Sequence, residues 1–256
     1  RKSLMNGEQP SSCQSCWDME KSGTLSTRER SIKDYEHIVT EDQARKYIDN
    51  IVPISNVQSI EVRVGNACNL MCRHCGPEYS SMWENAIRKD PVLKSDLKSL
   101  STFDFNSPER SEDLSVERVT EIKEIISGGS ITEIMWSGGE PLFHNAHYEI
   151  LESAQQFANQ ISLSYSSNLN KLSFGKNRSV LELWKPFKKV NLRISFDADD
   201  KIYSYVRTGG NVKLVEDNIE KVRSLSNVVI LGSVTASIFN MTRLLDIVKY
   251  MSSIGI

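Results

Sequence analysis

From residue 57 onward the chain alternates between two kinds of pattern. Short segments of period two recur at 57–64, 131–136, 161–166, 189–196 and 227–235. Segments with helical spacing fall at 79–88, 115–127, 145–159, 178–185, 211–224 and 241–252. Strands separated by helix-length connections imply βαβ units and a parallel sheet. A parallel strand covered on both faces reads as an almost unbroken apolar run, and these strands do not. In the first, Ile60, Val62 and Val64 alternate with Ser59, Glu61 and Arg63. In the third, Ile161, Leu163 and Tyr165 alternate with Ser162, Ser164 and Ser166. In the fourth, Val190, Leu192, Ile194 and Phe196 alternate with Asn191, Arg193, Ser195 and Asp197. An antiparallel sheet with one wet face alternates in the same way, but the helix-length connections disfavour it. The pattern predicts an α/β fold, a partial (β/α) barrel whose apolar positions meet outer helices and whose polar positions line a wet interior. Burying Arg193 or Glu133 unpaired in an apolar core would cost on the order of several kcal/mol each, and a ligand-filled lumen removes that difficulty. Arg63, Glu133, Arg193 and Asp197 are placed either to bind a substrate there or to pair with one another.

Ahead of the barrel the pattern changes. Residues 1 to 30 are polar and contain Cys13-Gln14-Ser15-Cys16. Helical spacing then runs from 31 to 51, with Thr40-Glu41-Asp42-Gln43 as a capping box and Pro53 as its stop. This divides the chain into a small cysteine-containing segment, 1–52, and a barrel, 53–256. Residues 89–114, with Pro91 and Pro108, form a polar insertion expected to be a loop with a short helix. The chain starts at Arg1 without a methionine and stops at Ile256 where a further strand is expected, so it reads as cut at both ends.

Composition narrows the classes. A chain of 256 residues, 39% hydrophobic and 25% charged, has room for one large core. A net charge of −2 argues against a nucleic-acid or anionic-membrane partner. No apolar run is long enough for a membrane span and no secretory signal is visible. Five cysteines are a poor fit to a closed disulfide framework. Clustered thiols fit a reducing, cytoplasmic setting.

The cysteines carry the chemistry. Cys68, Cys72 and Cys75 form a C-x3-C-x2-C run directly after the first strand. Three thiolates can hold three irons of a four-iron, four-sulfur cluster and leave the fourth iron open. Structural zinc wants four ligands and usually takes them as two pairs; three ordinary buried cysteines are a further reading. Trp136-Ser137-Gly138-Gly139-Glu140-Pro141 closes the second strand. Its glycines let backbone come close to a ligand, Glu140 offers a carboxylate and Pro141 fixes the exit of the turn. Alone, the segment is also a plain strand-to-helix turn.

Together these residues resemble the radical S-adenosylmethionine (SAM) enzymes. There the three-cysteine loop follows the first barrel strand, and Gly-Gly-Glu-Pro ends the second and binds the methionine amino group of SAM. Tyr165 to Leu169 matches the family's Thr-Asn-Gly segment, and Arg193 to Ala198 its Ser-x-Asp segment. Tyr205 to Gly210 resembles the loop whose arginine, here Arg207, reaches the SAM carboxylate; Val234-Thr235 and Asn240 match the fifth-strand ending. The resemblance implies cluster ligands at Cys68, Cys72 and Cys75. It implies SAM contacts at Gly138, Gly139, Glu140, Pro141, Asn168, Ser195, Asp197, Arg207 and Thr235. Two departures stand out: Leu169 replaces the glycine after Asn168, and His74 replaces an aromatic ring before the third cysteine. His74 is not read as a ligand.

Cys13 and Cys16, in the run from Gly7 to Glu20 and followed by Gly23, Ser26 and Arg28, resemble the SPASM or twitch auxiliary-cluster modules, in a subgroup that places the module before the barrel. On the residues alone the pair is equally a zinc half-site or an unmetallated pair. The resemblance implies an enzyme that uses a [4Fe-4S] cluster to cleave SAM to a 5′-deoxyadenosyl radical, which abstracts hydrogen from a substrate such as a peptide or protein. It also implies a reductant such as flavodoxin or ferredoxin. No residue is assigned a catalytic role on the substrate. The alternative is a non-catalytic iron–sulfur or zinc-binding sensor or scaffold on the same barrel.

Overall fold

The computed structural model describes residues 2–36, 40–46, 57–98, 113–175, 178–199 and 201–256. They fall into two compact units, residues 1–56 and 57–256. The larger unit is built on five parallel strands: β1 (Ser59–Arg63), β2 (Glu133–Ser137), β3 (Ser162–Ser167), β4 (Lys189–Ser195) and β5 (Val228–Ser233). Their order in the sheet follows their order in the chain. Each connection is therefore a crossover, and each carries a helix: Val116–Ser127 before β2, Asn145–Ala154 before β3, Val180–Trp184 before β4 and Val212–Arg223 before β5. Helix Leu244–Ser253 follows β5. This is the topology of an open, partial (β/α) barrel, as the alternation predicts. Observed strand ends lie within two residues of the predicted ones, with β2 and β3 each running one residue further.

Register lines up the side chains of each face. Glu61 lies opposite Met135, Met135 opposite Ser164 and Ser164 opposite Asn191, so one face of the sheet is mostly polar from β1 to β4, with Met135 as its apolar member. The other face carries Ile134, Leu163, Val190, Leu192 and Ile194, all fully buried under the helices. Its centre is aromatic. Tyr165 Oη accepts a 3.0 Å bond from Trp184 Nε1 and lies 2.9 Å from His147 Nε2. Trp136 meets the His147 ring edge-on at 4.6 Å. Burial, aided by the neighbouring His144, pushes the His147 pKa down to about 3, so the ring sits neutral in the core. β5 breaks the alternation: Val228 to Leu231 are apolar on both faces, and Val229 and Leu231 are exposed at this edge of the sheet.

The smaller unit holds helices Gln14–Lys21, Thr27–Tyr35 and Glu41–Lys46. Among the described residues of the helix expected over 31–51, two helices stand in place of one, with Thr40 outside both; 37–39 and 47–51 lie outside the described residues. Thr40 N donates to Gln43 Oε1 at 2.8 Å and Gln43 N donates to Thr40 Oγ1 at 3.3 Å. That reciprocal pair marks the start of a new helix rather than the interior of an old one. The preceding helix begins instead at a second capping box, Ser26 with Glu29. Trp17 anchors the unit: its Nε1 donates to Pro10 O at 3.1 Å, and Arg28, ion-paired to Glu20, lies 4.7 Å over its ring. Pro53 and the 52/53 boundary lie outside the described residues, as does 99–112 of the insertion; the described part of the insertion contains the helix Pro91–Lys98.

Candidate functional site

At the C-terminal ends of the strands a cavity of about 460 Å³ opens, within the range of small-molecule sites. The loop after β1 brings Cys68, Cys72 and Cys75 to its wall together. Helix Ser81–Lys89 holds that loop. Ser80 caps the helix and its hydroxyl donates to Leu70 O at 2.7 Å; Trp83 Nε1 donates to Cys72 O at 2.8 Å; Cys68 N donates to Ser81 Oγ at 3.2 Å. Beneath it, Asn66 Nδ2 donates to buried Glu84 at 2.6 Å. His144 reaches the same loop from the other side, with Nε2 3.1 Å from Ala67 O and Nδ1 3.5 Å from Asp113.

Gly138 and Gly139 splice the second motif to the first. Gly139 N donates to Gly65 O at 2.8 Å and Glu140 N to Ala67 O at 2.9 Å. A Cβ on Gly138, whose φ is +120°, would sit 2.8 Å from Gly65 O, and one on Gly139 would sit 2.4 Å from Ala67 O. Both glycines line the cavity, but the close approach they permit is to the cysteine loop itself.

Glu140 is almost wholly buried. Oε1 accepts from Ser167 Oγ at 2.7 Å and Leu142 N at 3.2 Å, and Oε2 accepts from Asn168 N at 2.7 Å. Burial raises its pKa despite these bonds. Three of a carboxylate's roughly four acceptor sites are filled, leaving one for a donor in the cavity. Asn168 lines the wall, with Nδ2 3.9 Å from Cys68 Sγ. The turn after it forms without glycine. Leu169 takes φ 53°, a left-handed conformation that costs an ordinary residue about 1–3 kcal/mol. Ser167 Oγ accepts from Leu169 N at 2.9 Å and Asn218 Nδ2 donates to Leu169 O at 2.9 Å, fixing the strained residue from both sides.

Arg207 lines the cavity and is ion-paired through Nη1 to Asp197. Burial works to lower its pKa, but Cys72, Tyr203 and Asp197 together raise it. Its Nε is buried without a partner. Asp197 also accepts from Thr235 N at 2.7 Å and lies 3.1 Å from His74 Nε2. Burial works to raise the Asp197 pKa, but His74, Arg207 and the Thr235 amide hold it below the usual carboxylate range. Ser195 reaches the wall; Pro141, Asp197 and Thr235 do not. Pro141 is buried in the turn Pro141–Phe143, and Asp197 and Thr235 act behind Arg207 rather than at the cavity surface. The His74–Asp197 contact has no sequence signal, since the two are far apart in the chain.

The donor set fits a cluster better than a single ion. Among the described residues, no three His, Cys, Asp or Glu side chains converge on one metal position. Structural zinc needs such convergence, whereas a four-iron cube takes each thiolate on a separate iron. Burial pushes the Cys68 thiol up to about 12, with Glu140 adding to it, and raises Cys72 and Cys75. Such thiols ionise only when a positive group arrives. In the smaller unit, Cys13 ends the turn Ser11–Cys13 and Cys16 lies in the first turn of helix Gln14–Lys21. Both are half-buried, and no third ligand joins them among the described residues.

A second cavity of about 410 Å³ lies on the polar face of the sheet and shares Ser137 and Ser166 with the first. Among the described residues no helix is long and apolar enough to cross a membrane.

A family model described as the Radical SAM superfamily matches residues 62–251. Among solved structures, native anSMEcpe with bound AdoMet superposes with a TM-score of 0.52 at 17% identity, over 77% of this chain and 49% of that one. Native anSMEcpe with bound AdoMet and Kp18Cys peptide gives 0.50 at 16% identity, over 77% and 48%. Streptococcus suis SuiB bound to S-adenosylmethionine gives 0.50 at 12% identity, over 93% and 48%. At these identities the likeness is one of fold, and the chain spans about half the length of each. A search of curated proteins finds no match.

Proposed function

The chain belongs to the radical SAM superfamily, and from that premise we propose that it serves in an enzyme that cleaves SAM reductively and takes hydrogen from a peptide or protein substrate. The carrying observation is the convergence on one cavity of Cys68, Cys72 and Cys75 with Glu140, Asn168 and Arg207. Cys68, Cys72 and Cys75 would each hold one iron of a [4Fe-4S] cluster. When bound, that cluster supplies the electron that cleaves the sulfonium carbon–sulfur bond of SAM to give a 5′-deoxyadenosyl radical. The residues around it bind and orient. Glu140 offers its remaining acceptor site to the SAM ammonium, and the buried Arg207 Nε, aimed by Asp197, offers a charge-assisted bond to the SAM carboxylate. Gly138, Gly139 and Ser195 shape the wall between them.

A peptide or protein substrate is supported by analogy with a structural neighbour that holds a peptide together with AdoMet. In the same reading, residues 1–52 end an N-terminal SPASM- or twitch-like module, in which Cys13 and Cys16 are two ligands of an auxiliary cluster. The setting is cytoplasmic, with flavodoxin or ferredoxin as electron donor. Anaerobic reconstitution with iron, sulfide, dithionite and SAM tests the proposal: 5′-deoxyadenosine should form in the wild type and be lost in Cys68→Ala, Cys72→Ala and Cys75→Ala. A wild type that binds no cluster, or a variant that keeps cluster and cleavage, overturns it. A colourless, zinc-loaded protein would favour the scaffold alternative.

A further inference from the structure

Three charged side chains line the second cavity among the described residues: Glu61, Glu133 and Arg193. Glu61 accepts from Ser137 Oγ at 2.7 Å, and Glu133 accepts from Ser59 Oγ at 3.2 Å and Ser164 Oγ at 3.4 Å. Arg63 lies 5.1 Å over the Tyr79 ring. Of these four, Arg193 alone has no side-chain hydrogen-bond, ion-pair or ring partner among the described residues. It projects from β4 into the second cavity, is exposed there, and among the described residues pairs with no carboxylate. It stands opposite Ser166 on one side and Leu231 on the other. Ser166 also lines the first cavity, and Ser195, two residues beyond Arg193 on the same face, lines it as well. Arg193 is therefore one strand step, about 7 Å along β4, below the proposed SAM site. Beside it Leu231 is 47% exposed and Met135 half-buried, an apolar shelf next to an unpaired guanidinium.

We propose that Arg193 anchors a carboxylate of the substrate in this second cavity, with the carbon chain of the substrate resting on Leu231 and Met135. The proposal rests on the SAM-cleaving reading of the neighbouring cavity and adds a substrate class to it: an acid with a short aliphatic stem, whether free or as an acidic side chain of a peptide. A guanidinium holds a carboxylate with paired, charge-assisted bonds and gains nothing comparable from an amide of the same shape. The hydroxyl of Ser166 lies within the same cavity to donate to a remaining lone pair.

The test is calorimetric titration of the cluster-reconstituted, SAM-loaded protein without reductant, using four probes: glutarate, glutaramide, and end-blocked Gly-Glu-Gly and Gly-Gln-Gly. At least one acid should bind about tenfold to a hundredfold more tightly than its amide. Preference for glutarate identifies a free acid, and preference for Gly-Glu-Gly a peptide side chain. Arg193→Gln should erase the acid–amide difference and Arg193→Lys should keep part of it. Equal binding of acid and amide by the wild type, or no binding of any probe, overturns the proposal without relying on a folded variant. An acid preference that survives Arg193→Gln also overturns it. No turnover is read, so absence of 5′-deoxyadenosine in the separate cleavage assay would refute the SAM-cleaving reading and leave the binding result distinct.

Discussion

Trp136 and Ser137 are neighbours in the chain and face opposite sides of the sheet. On the side of Trp136, polar atoms are few, with Tyr165, Trp184 and His147 joined by two hydrogen bonds inside a packed core, and Trp136 Nε1 and His147 Nδ1 are buried without a partner. On the side of Ser137, serines, carboxylates and arginines stand around two cavities that share Ser137 and Ser166. The same five strands supply both. The difference teaches that polar spacing on a parallel strand is a statement about what the face meets: side chains that must fill space on one side, and an open cavity on the other.

The sharpest way to break that contrast is Trp184→Ala. It empties a fully buried site and removes the donor to Tyr165 Oη, and should cost about 3–5 kcal/mol in urea unfolding. A cost under about 1 kcal/mol would mean that the helix side is not the core of this unit. Gly139→Ala should cost about 1–3 kcal/mol, because its Cβ meets the Ala67 carbonyl and one backbone must yield. It should also lower iron retention; full retention would mean that the splice between the motifs does not position the thiolates.

Acidity sharpens the comparison further. The folded pKa of His147 is depressed to about 3 against about 6.5 in an unfolded chain. Between those values the unfolded state takes up a proton that the native state refuses. The stability from a neutral His147 is thus fully present above pH 6.5 and lost as pH falls toward 3, about 2 kcal/mol by pH 5. Comparing pH 7 with pH 5, His147→Gln should lose less stability than the wild type by that amount; identical slopes would contradict the assignment. The smallest effect belongs to the other face. Ser164→Ala, half-buried and lining the second cavity, should stay within about 0.5 kcal/mol of wild type, and a larger loss would make that face structural.

How much of this was legible in the sequence depends on how far apart the partners lie. The five strands, the cysteine loop and the Gly-Gly-Glu-Pro turn are local patterns and stand where they were read. The Thr40 capping box was visible, but its meaning was not, because a strong cap inside a helical period signals a break. Long-range contacts left no trace. Nothing in the residues themselves joins Glu140 to Ser167 and the Asn168 amide, or His74 to Asp197. The turn at Leu169 forms against local preference because Ser167 and Asn218, brought in by other elements, outweigh the strain.

One small feature links the cluster loop to the SAM side of the cavity. Met71–Cys72 forms a two-residue antiparallel ladder with Arg207–Thr208, Cys72 standing opposite Arg207, and Arg73 N donates to Val206 O at 2.9 Å. In the proposed function, a thiolate that would hold iron and a guanidinium that would meet the SAM carboxylate thus share one set of backbone bonds. Ordering either segment orders the other, and thermodynamic reciprocity makes the benefit equal in both directions. By whatever factor bound iron tightens the hold on SAM, bound SAM tightens the hold on iron, so a protein stripped of one ligand becomes by the same factor a poorer host for the other.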